Sequence, residues 1–372
     1  MKKSFVFGSC LLAALSAQAA DVQMYGAMDT GLTYTRQSSD KDTLAMTSGN
    51  YAGPRFGIKG QEQVGEDLFV KYILEAGFTS DSGSSGAQGK LFNRESQLSL
   101  NGSWGTLGFG RVGAFSSGSS SLSWYWDMEP FETGYVDAGI QATQINAWRL
   151  NSNVVYYVSP VVQGVKFGAQ YGLTGSADEE KANWSDNDQW MNLALRWDGN
   201  NAKVVLGFET ERYGLADDNR PRRDRFYNVK LAGAWTVPAT SLTLYAGTSW
   251  YKNSNTFSDA VSDQAKFDGE NTGKRLDGYS FHVGTKYTVG SWDLLGLVQY
   301  LDGRNKGTTQ KDNDYQRWVA SIGGHYHLSN RTMLYLVTSV AHGNGVMKIE
   351  KDGEDVTDGN RWVSHIGMTH FF

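Results

Sequence analysis

The stretch Leu68-Phe69-Val70-Lys71-Tyr72-Ile73-Leu74-Glu75-Ala76-Gly77-Phe78 decides the fold. Leu68, Val70, Tyr72, Leu74, Ala76 and Phe78 share one side of a period-two alternation, and Phe69, Lys71, Ile73, Glu75 and Gly77 share the other. Neighbouring side chains on an extended chain point to opposite faces, so the segment reads as a strand with an apolar and a polar side. The pattern recurs. Tyr227, Val229, Leu231, Gly233 and Trp235 oppose Asn228, Lys230 and Ala232. Trp318, Ala320, Ile322 and Tyr326 oppose Arg317, Ser321, His325 and His327. Trp362, Ile366, Met368 and Phe372 oppose Arg361, His365 and Thr369. A soluble sandwich or propeller packs apolar faces on each other, whereas here the second face is repeatedly Lys, Arg, Glu, Asn, Ser or Gly.

Working outward, sixteen such segments are expected: 22–35, 55–64, 67–80, 91–102, 105–112, 149–159, 165–173, 189–198, 202–213, 224–236, 240–251, 278–289, 291–301, 314–328, 332–342 and 360–372. Short turns such as Val64-Gly65-Glu66 and Gly199-Asn200-Asn201 alternate with long polar connections at 36–54, 174–188, 252–277, 302–313 and 343–359. An even strand count with turns at one end and loops at the other predicts an all-β, 16-stranded antiparallel transmembrane barrel. In lipid every backbone polar group needs a partner, and closure leaves no open edge. Sixteen strands leave a water-filled lumen, whereas about eight are filled by side chains. Tyr25, Tyr72, Trp104, Trp235, Trp250, Trp292 and Trp362 suit interfacial girdles.

The composition agrees. The 372 residues are 13% aromatic with 44 glycines and only 5 prolines, which excludes a disordered chain. A single cysteine excludes a disulfide scaffold, and a net charge of −5 argues against nucleic-acid binding. Lys2 and Lys3, the apolar run Phe5 to Leu15 and Ala17-Gln18-Ala19 read as a secretory leader over 1–19, leaving one barrel domain over 20–372.

Several segments resemble the general bacterial porins, especially the neisserial and betaproteobacterial type. Val22-Gln23-Met24-Tyr25-Gly26-Ala27-Met28-Asp29-Thr30-Gly31 is similar to the family's first strand, and Arg55-Phe56-Gly57-Ile58-Lys59-Gly60 to its second. Leu74-Glu75-Ala76-Gly77-Phe78 resembles the end of the third, and Leu107-Gly108-Phe109-Gly110-Arg111 the fifth. The likeness runs through the mature chain and is densest over 22–172.

That resemblance implies a trimeric outer-membrane barrel for passive diffusion of small hydrophilic solutes and ions, embedded in outer-membrane lipid and inserted by the barrel assembly machinery. Terminal Phe372 matches the family's assembly signal. The third long loop, here roughly Gly113 to Ala147, would fold inward and narrow the pore. Its acidic residues Asp127, Glu129 and Glu132 would face wall arginines Arg55, Arg94 and Arg149, with Arg111 at the loop root. Arg94 fits less cleanly, because its face continues to Leu98 and Leu100 while Glu95, Gln97 and Ser99 hold the other. Polar residues there mark either a subunit interface or an inverted parity. Facing cations and anions in a narrow gap order water and favour polar solutes.

Rival classes leave little trace. No Gly-x-Ser-x-Gly or His-Glu-x-x-His occurs, and Gly83-Ser84-Ser85-Gly86 lacks the Lys of a phosphate loop, so no catalytic set and no cofactor is expected. His325 and His327 share a strand face without an obvious third ligand, so no metal is expected. Trp124-Tyr125-Trp126 in the inward loop keeps open a sugar-specific channel with an aromatic slide. Arg220, Arg222, Arg223 and Arg225 suggest either a basic vestibule or a solvated loop.

Overall fold

A computed structural model describes residues 21–37, 42–118, 120–174, 184–214, 224–256, 258–261, 276–306, 314–345, 349–351, 354–356 and 359–372. The leader expected over 1–19 and the basic residues Arg220, Arg222 and Arg223 lie outside them. The strands are β1 (Asp21–Gln37), β2 (Asp42–Ser48), β3 (Arg55–Gly65), β4 (Leu68–Gly77), β5 (Glu95–Gly102), β6 (Gly105–Gly113), β7 (Leu150–Val158), β8 (Val165–Gly172), β9 (Gln189–Asp198) and β10 (Ala202–Arg212). They continue as β11 (Phe226–Thr236), β12 (Leu242–Ser254), β13 (Leu276–Val289), β14 (Trp292–Asn305), β15 (Asp314–Ser329), β16 (Thr332–Gly345), β17 (Ile349–Lys351), β18 (Glu354–Val356) and β19 (Asn360–Phe371).

Sixteen of these close a barrel: β1, β3 to β16 and β19. Each pairs antiparallel with its neighbour, and β1 pairs with β3 on one side and β19 on the other. The alternation located all sixteen. It missed β2 and the small β17–β18 hairpin, which occupy parts of the connections read as 36–54 and 343–359. β2 continues the wall position of β3, pairing with the upper half of β1 from Thr30↔Ser48 to Arg36↔Asp42. Between Ser48 and Arg55 the chain leaves the wall and returns, while β1 advances only from Thr30 to Ala27.

The faces sort as the alternation requires. Leu98, Val283, Ile322 and Leu336 are exposed on the outside, while Lys230, Gln299, Arg317 and His325 are buried on the inside. This inverts a soluble protein's burial and suits a lipid-facing exterior. Trp104, Trp235, Trp250, Trp292 and Trp362 are exposed outside, as girdle residues should be. Tyr25 is a correction. Its ring lies against Gly57 of β3 and lines the lumen, because strand parity groups it with buried Ala27 and Asp29.

The connection between β6 and β7, residues 114–149, folds into the lumen. Phe115, Trp124, Tyr125, Met128, Phe131 and Tyr135 pack in one buried cluster with wall residues Leu295, Leu297, Tyr335 and Val337. Each fully buried side chain of this size contributes roughly 1.5–3 kcal/mol, so the loop is held as a core element. Gly284 of β13 permits the close approach, since a Cβ there would meet the Pro130 ring at 2.7 Å.

Closure has a specific seam. Gly26 and Phe372 exchange two backbone hydrogen bonds of 2.9 and 3.1 Å, and the Phe372 ring covers the place a Gly26 Cβ would take. That Cβ would also sit 2.5 Å from the Arg55 carbonyl oxygen. Gly26→Val is therefore expected to reduce the yield of heat-modifiable folded barrel on gels several-fold. An undiminished folded band would contradict this account of the seam.

Candidate functional site

The inward excursion at 49–54 is organised by Asp29, fully buried on β1. Its Oδ1 accepts hydrogen bonds from the Asn50 N–H (3.2 Å) and Tyr335 hydroxyl (2.9 Å). Its Oδ2 accepts from the N–H groups of Tyr51 (3.0 Å) and Ala52 (2.9 Å) and from the Thr369 hydroxyl (2.6 Å). With the backbone so fixed, Tyr51 reaches the inward loop and donates to Glu132 Oε2 at 2.5 Å. Lys286 of β13 donates to Glu132 Oε1 at 3.3 Å. Glu132 and Thr133 have φ of 55° and 59°, a left-handed pair rare outside glycine. The two hydrogen bonds on Glu132 help hold that turn.

Between this tip and the β3–β5 wall lies a cavity of about 440 Å³. Arg55, Lys59 and Arg94 supply its cations, and Glu75, Glu95 and Glu132 its anions. Arg94 Nε donates to Glu75 Oε1 at 2.6 Å, and Arg55 Nε stands 3.5 Å from Glu75 Oε2. Trp148 lies 5.6 Å beneath the Arg94 guanidinium and donates its indole N–H to the Thr133 carbonyl at 2.8 Å. Glu95 accepts from the N–H and hydroxyl of Ser121, tying the start of the loop to β5.

The structure thus brings Arg55, Arg94 and Glu132 together, and separates them from the other residues singled out in the sequence. Asp127 is clamped to the far wall, by Arg196 at 2.7 Å and Lys203 at 2.8 Å. Burial raises its pKa, but the hydrogen bonds from Arg196 and Lys203 win and hold it below the ordinary value. Glu129 is fully buried and accepts the N–H groups of Phe131 and Thr133. It builds the loop tip from within and faces no water; burial pushes its pKa up to about 8.

Arg149 lies under the loop, 2.9 Å from Glu209 and 2.7 Å from Glu211, with its guanidinium 5.2 Å from the Trp190 ring. Arg111 pairs across the sheet with Ser96, on the face of exposed Leu98 and Phe109, so it lies on the outer side. It donates to the Asn93 carbonyl and the Ser152 hydroxyl. The doubt over Arg94 also resolves. β5 begins at Glu95, so strand parity does not extend to Arg94, and Glu95, Gln97 and Ser99 are buried on the inner face.

Other sequence expectations find places. Trp124 and Tyr125 are buried in the loop core, and of the three tandem aromatics Trp126 alone is exposed, so no continuous slide forms. His325 meets the Tyr135 hydroxyl and His327 the Asp293 carboxylate, and among the described residues no group of acidic, His or Cys side chains is arranged for a metal ion. Arg225 lends its carbonyl to the Asn253 side chain.

Sequence reasoning missed Asp29, Tyr51, Arg196 and Lys286. It also missed Asp259, in the connection between β12 and β13. Asp259 accepts the N–H groups of Asn146 (2.8 Å), Ala147 (2.8 Å) and Trp148 (3.2 Å), latching the loop's end. Burial pushes its pKa up to about 6, opposed first by the charge of Lys230 and then by those N–H groups.

A family profile described as Gram-negative porin matches residues 8–345. An outer membrane porin protein of Bordetella pertussis is 28% identical over 380 residues, covering 92% of this chain and 94% of its own. The anion-selective porin from Comamonas acidovorans superposes with a TM-score of 0.69 at 17% identity, covering 95% of this chain and all of its own. OmpT of Vibrio cholerae in its trimer form does so at 0.62 and 16%, with 95% and 100% coverage.

Four outcomes are expected. Glu132→Gln should move the reversal potential towards anions, while Glu129→Ala should disturb the loop and raise open-channel noise without changing the sign of selectivity. Arg149→Ala should cost about 3–5 kcal/mol of stability by stranding two buried glutamates, with little effect on selectivity. The Asp259 latch binds its proton more tightly when closed than when released. It should therefore tighten as pH falls from about 6 towards the ordinary carboxylate range. Open-channel noise should drop over that window in the wild type and lose this dependence in Asp259→Asn.

Proposed function

The chain belongs to the Gram-negative porin family, and from that premise we propose that solutes pass between the Glu132 tip and the Arg55–Arg94 wall. It is an outer-membrane porin, a water-filled channel for passive diffusion of small hydrophilic solutes. The observation that carries the proposed route is the cavity of about 440 Å³ lined by opposed charges from loop and wall. Across it, guanidinium and carboxylate groups set up a transverse field in a partly low-dielectric gap. Dipolar solutes align there, while apolar solutes lose water without gaining partners.

Three cations and three anions line the cavity, and Glu75 offsets both arginines, so weak ion selectivity is the reading this lining supports. Arg94 is the residue to perturb. Removing it leaves Arg55 as the guanidinium beside Glu75 and lifts a guanidinium from above Trp148.

We also infer a homotrimer, supported by the trimeric form of the Vibrio cholerae neighbour. Phe372 acts in this reading as the assembly signal, read by the barrel assembly machinery before it takes its place at the Gly26 seam. The barrel needs no cofactor for this function.

Planar-bilayer conductance in a salt gradient tests these readings. Insertion should give current steps in groups of three, with a small reversal potential. Arg94→Ala should shift that potential towards cations, and an unchanged value would remove Arg94 from the ion path. Deleting Phe372 should lower outer-membrane trimer yield, and normal yield would refute its role in assembly.

A further inference from the structure

A second cavity, about 290 Å³, lies beneath the inward loop and beside the β9–β10 turn. It is close to the lower end of small-molecule pockets, about 300 Å³. Trp126 and Glu132 line both this cavity and the larger one, so they stand at the boundary between the two. Trp126 is 43% exposed, whereas Phe115, Trp124, Tyr125, Phe131 and Tyr135 of the same loop are buried. Buried Tyr245 lines the cavity wall, and Asn200, Asn201 and Thr243 contribute uncharged polar groups.

The charges here are already matched. Lys203 Nζ lies 2.8 Å from Asp127, and Lys286 Nζ lies 3.3 Å from Glu132. Each ammonium is offset by a carboxylate, so an entering ion gains little net attraction here. A neutral molecule can use the remaining ammonium hydrogens and carboxylate lone pairs. An exposed indole adds a flat apolar face with a polar edge. A ring with an apolar C–H face and a rim of hydroxyls satisfies both features.

We propose that this cavity is a binding subsite for a neutral saccharide, with Trp126 as the stacking platform and the Lys203–Asp127 and Lys286–Glu132 pairs as hydroxyl partners. It deepens the passage reading, because the subsite lies where a solute would leave the Glu132 gap. The binding is weak and reversible, which suits a site that must release its solute on the way through.

The test is single-channel current through the whole protein with maltose added on the side of the short turns. Maltose should reduce the current saturably, with half-block on the order of millimolar. Trp126→Ala should raise the half-block concentration roughly five- to tenfold, the scale of one aromatic contact, and Trp126→Phe should restore most of the affinity. Gluconate, carrying a carboxylate, should give no saturable block. A wild-type channel that conducts normally without saturable maltose block overturns the subsite and leaves the passage reading standing. Block unaffected by Trp126→Ala, or equal block by gluconate, overturns it too. Folded protein with no salt conductance refutes the passage itself.

Discussion

Backbone hydrogen bonding in a hydrocarbon solvent is the constraint on which the structure depends. An unpaired amide in lipid costs several kcal/mol, so the two edges of the sheet must pair with each other. β1 satisfies this by pairing with β3 below and β19 along its upper length, and Gly26 with Phe372 completes the seam. The outward residues are then free to be apolar, and the inward ones are required to find polar partners or packing within the barrel.

Closure at sixteen strands makes a lumen too wide for wall side chains to fill. The inward loop resolves this by behaving as a core. Its aromatics pack on apolar wall residues of β14 and β16, and Asp127, Glu95 and Asp259 tie it at the far wall, its start and its end. What remains open is set by the side chains the loop does not bury. Glu132 projects from a left-handed turn that the protein sustains with hydrogen bonds from Tyr51 and Lys286. Strain concentrated at such a position accords with a functional surface held in place by its surroundings.

The strands were legible because lipid imposes one rule on every one of them, and the alternation through Leu68 to Phe78 is that rule written in residues. β2 was not, since seven residues with Leu44 and Met46 outward carry too short a pattern to stand out from a polar loop. The site was half legible. Glu75 was placed on a polar face, yet its partner Arg94 lies across a loop that period-two reasoning does not cross. Among Asp127, Glu129 and Glu132, residue type does not say which is clamped, which is buried and which faces water. That depends on two left-handed residues and a tyrosine delivered by a distant excursion. Arg149 follows the same logic, because Glu209 and Glu211 reach it only once β10 stands beside β9.

The central claim is that the Glu132 tip borders the path of permeation. The sequence has one cysteine, Cys10, within the expected leader, so Glu132→Cys in the leader-free protein offers a single target. Unitary conductance should be followed while a bulky charged thiol reagent is added, with mass spectrometry confirming modification. The account predicts a discrete fall in conductance as each channel reacts, larger for a bulkier reagent. Complete modification with conductance unchanged would contradict it.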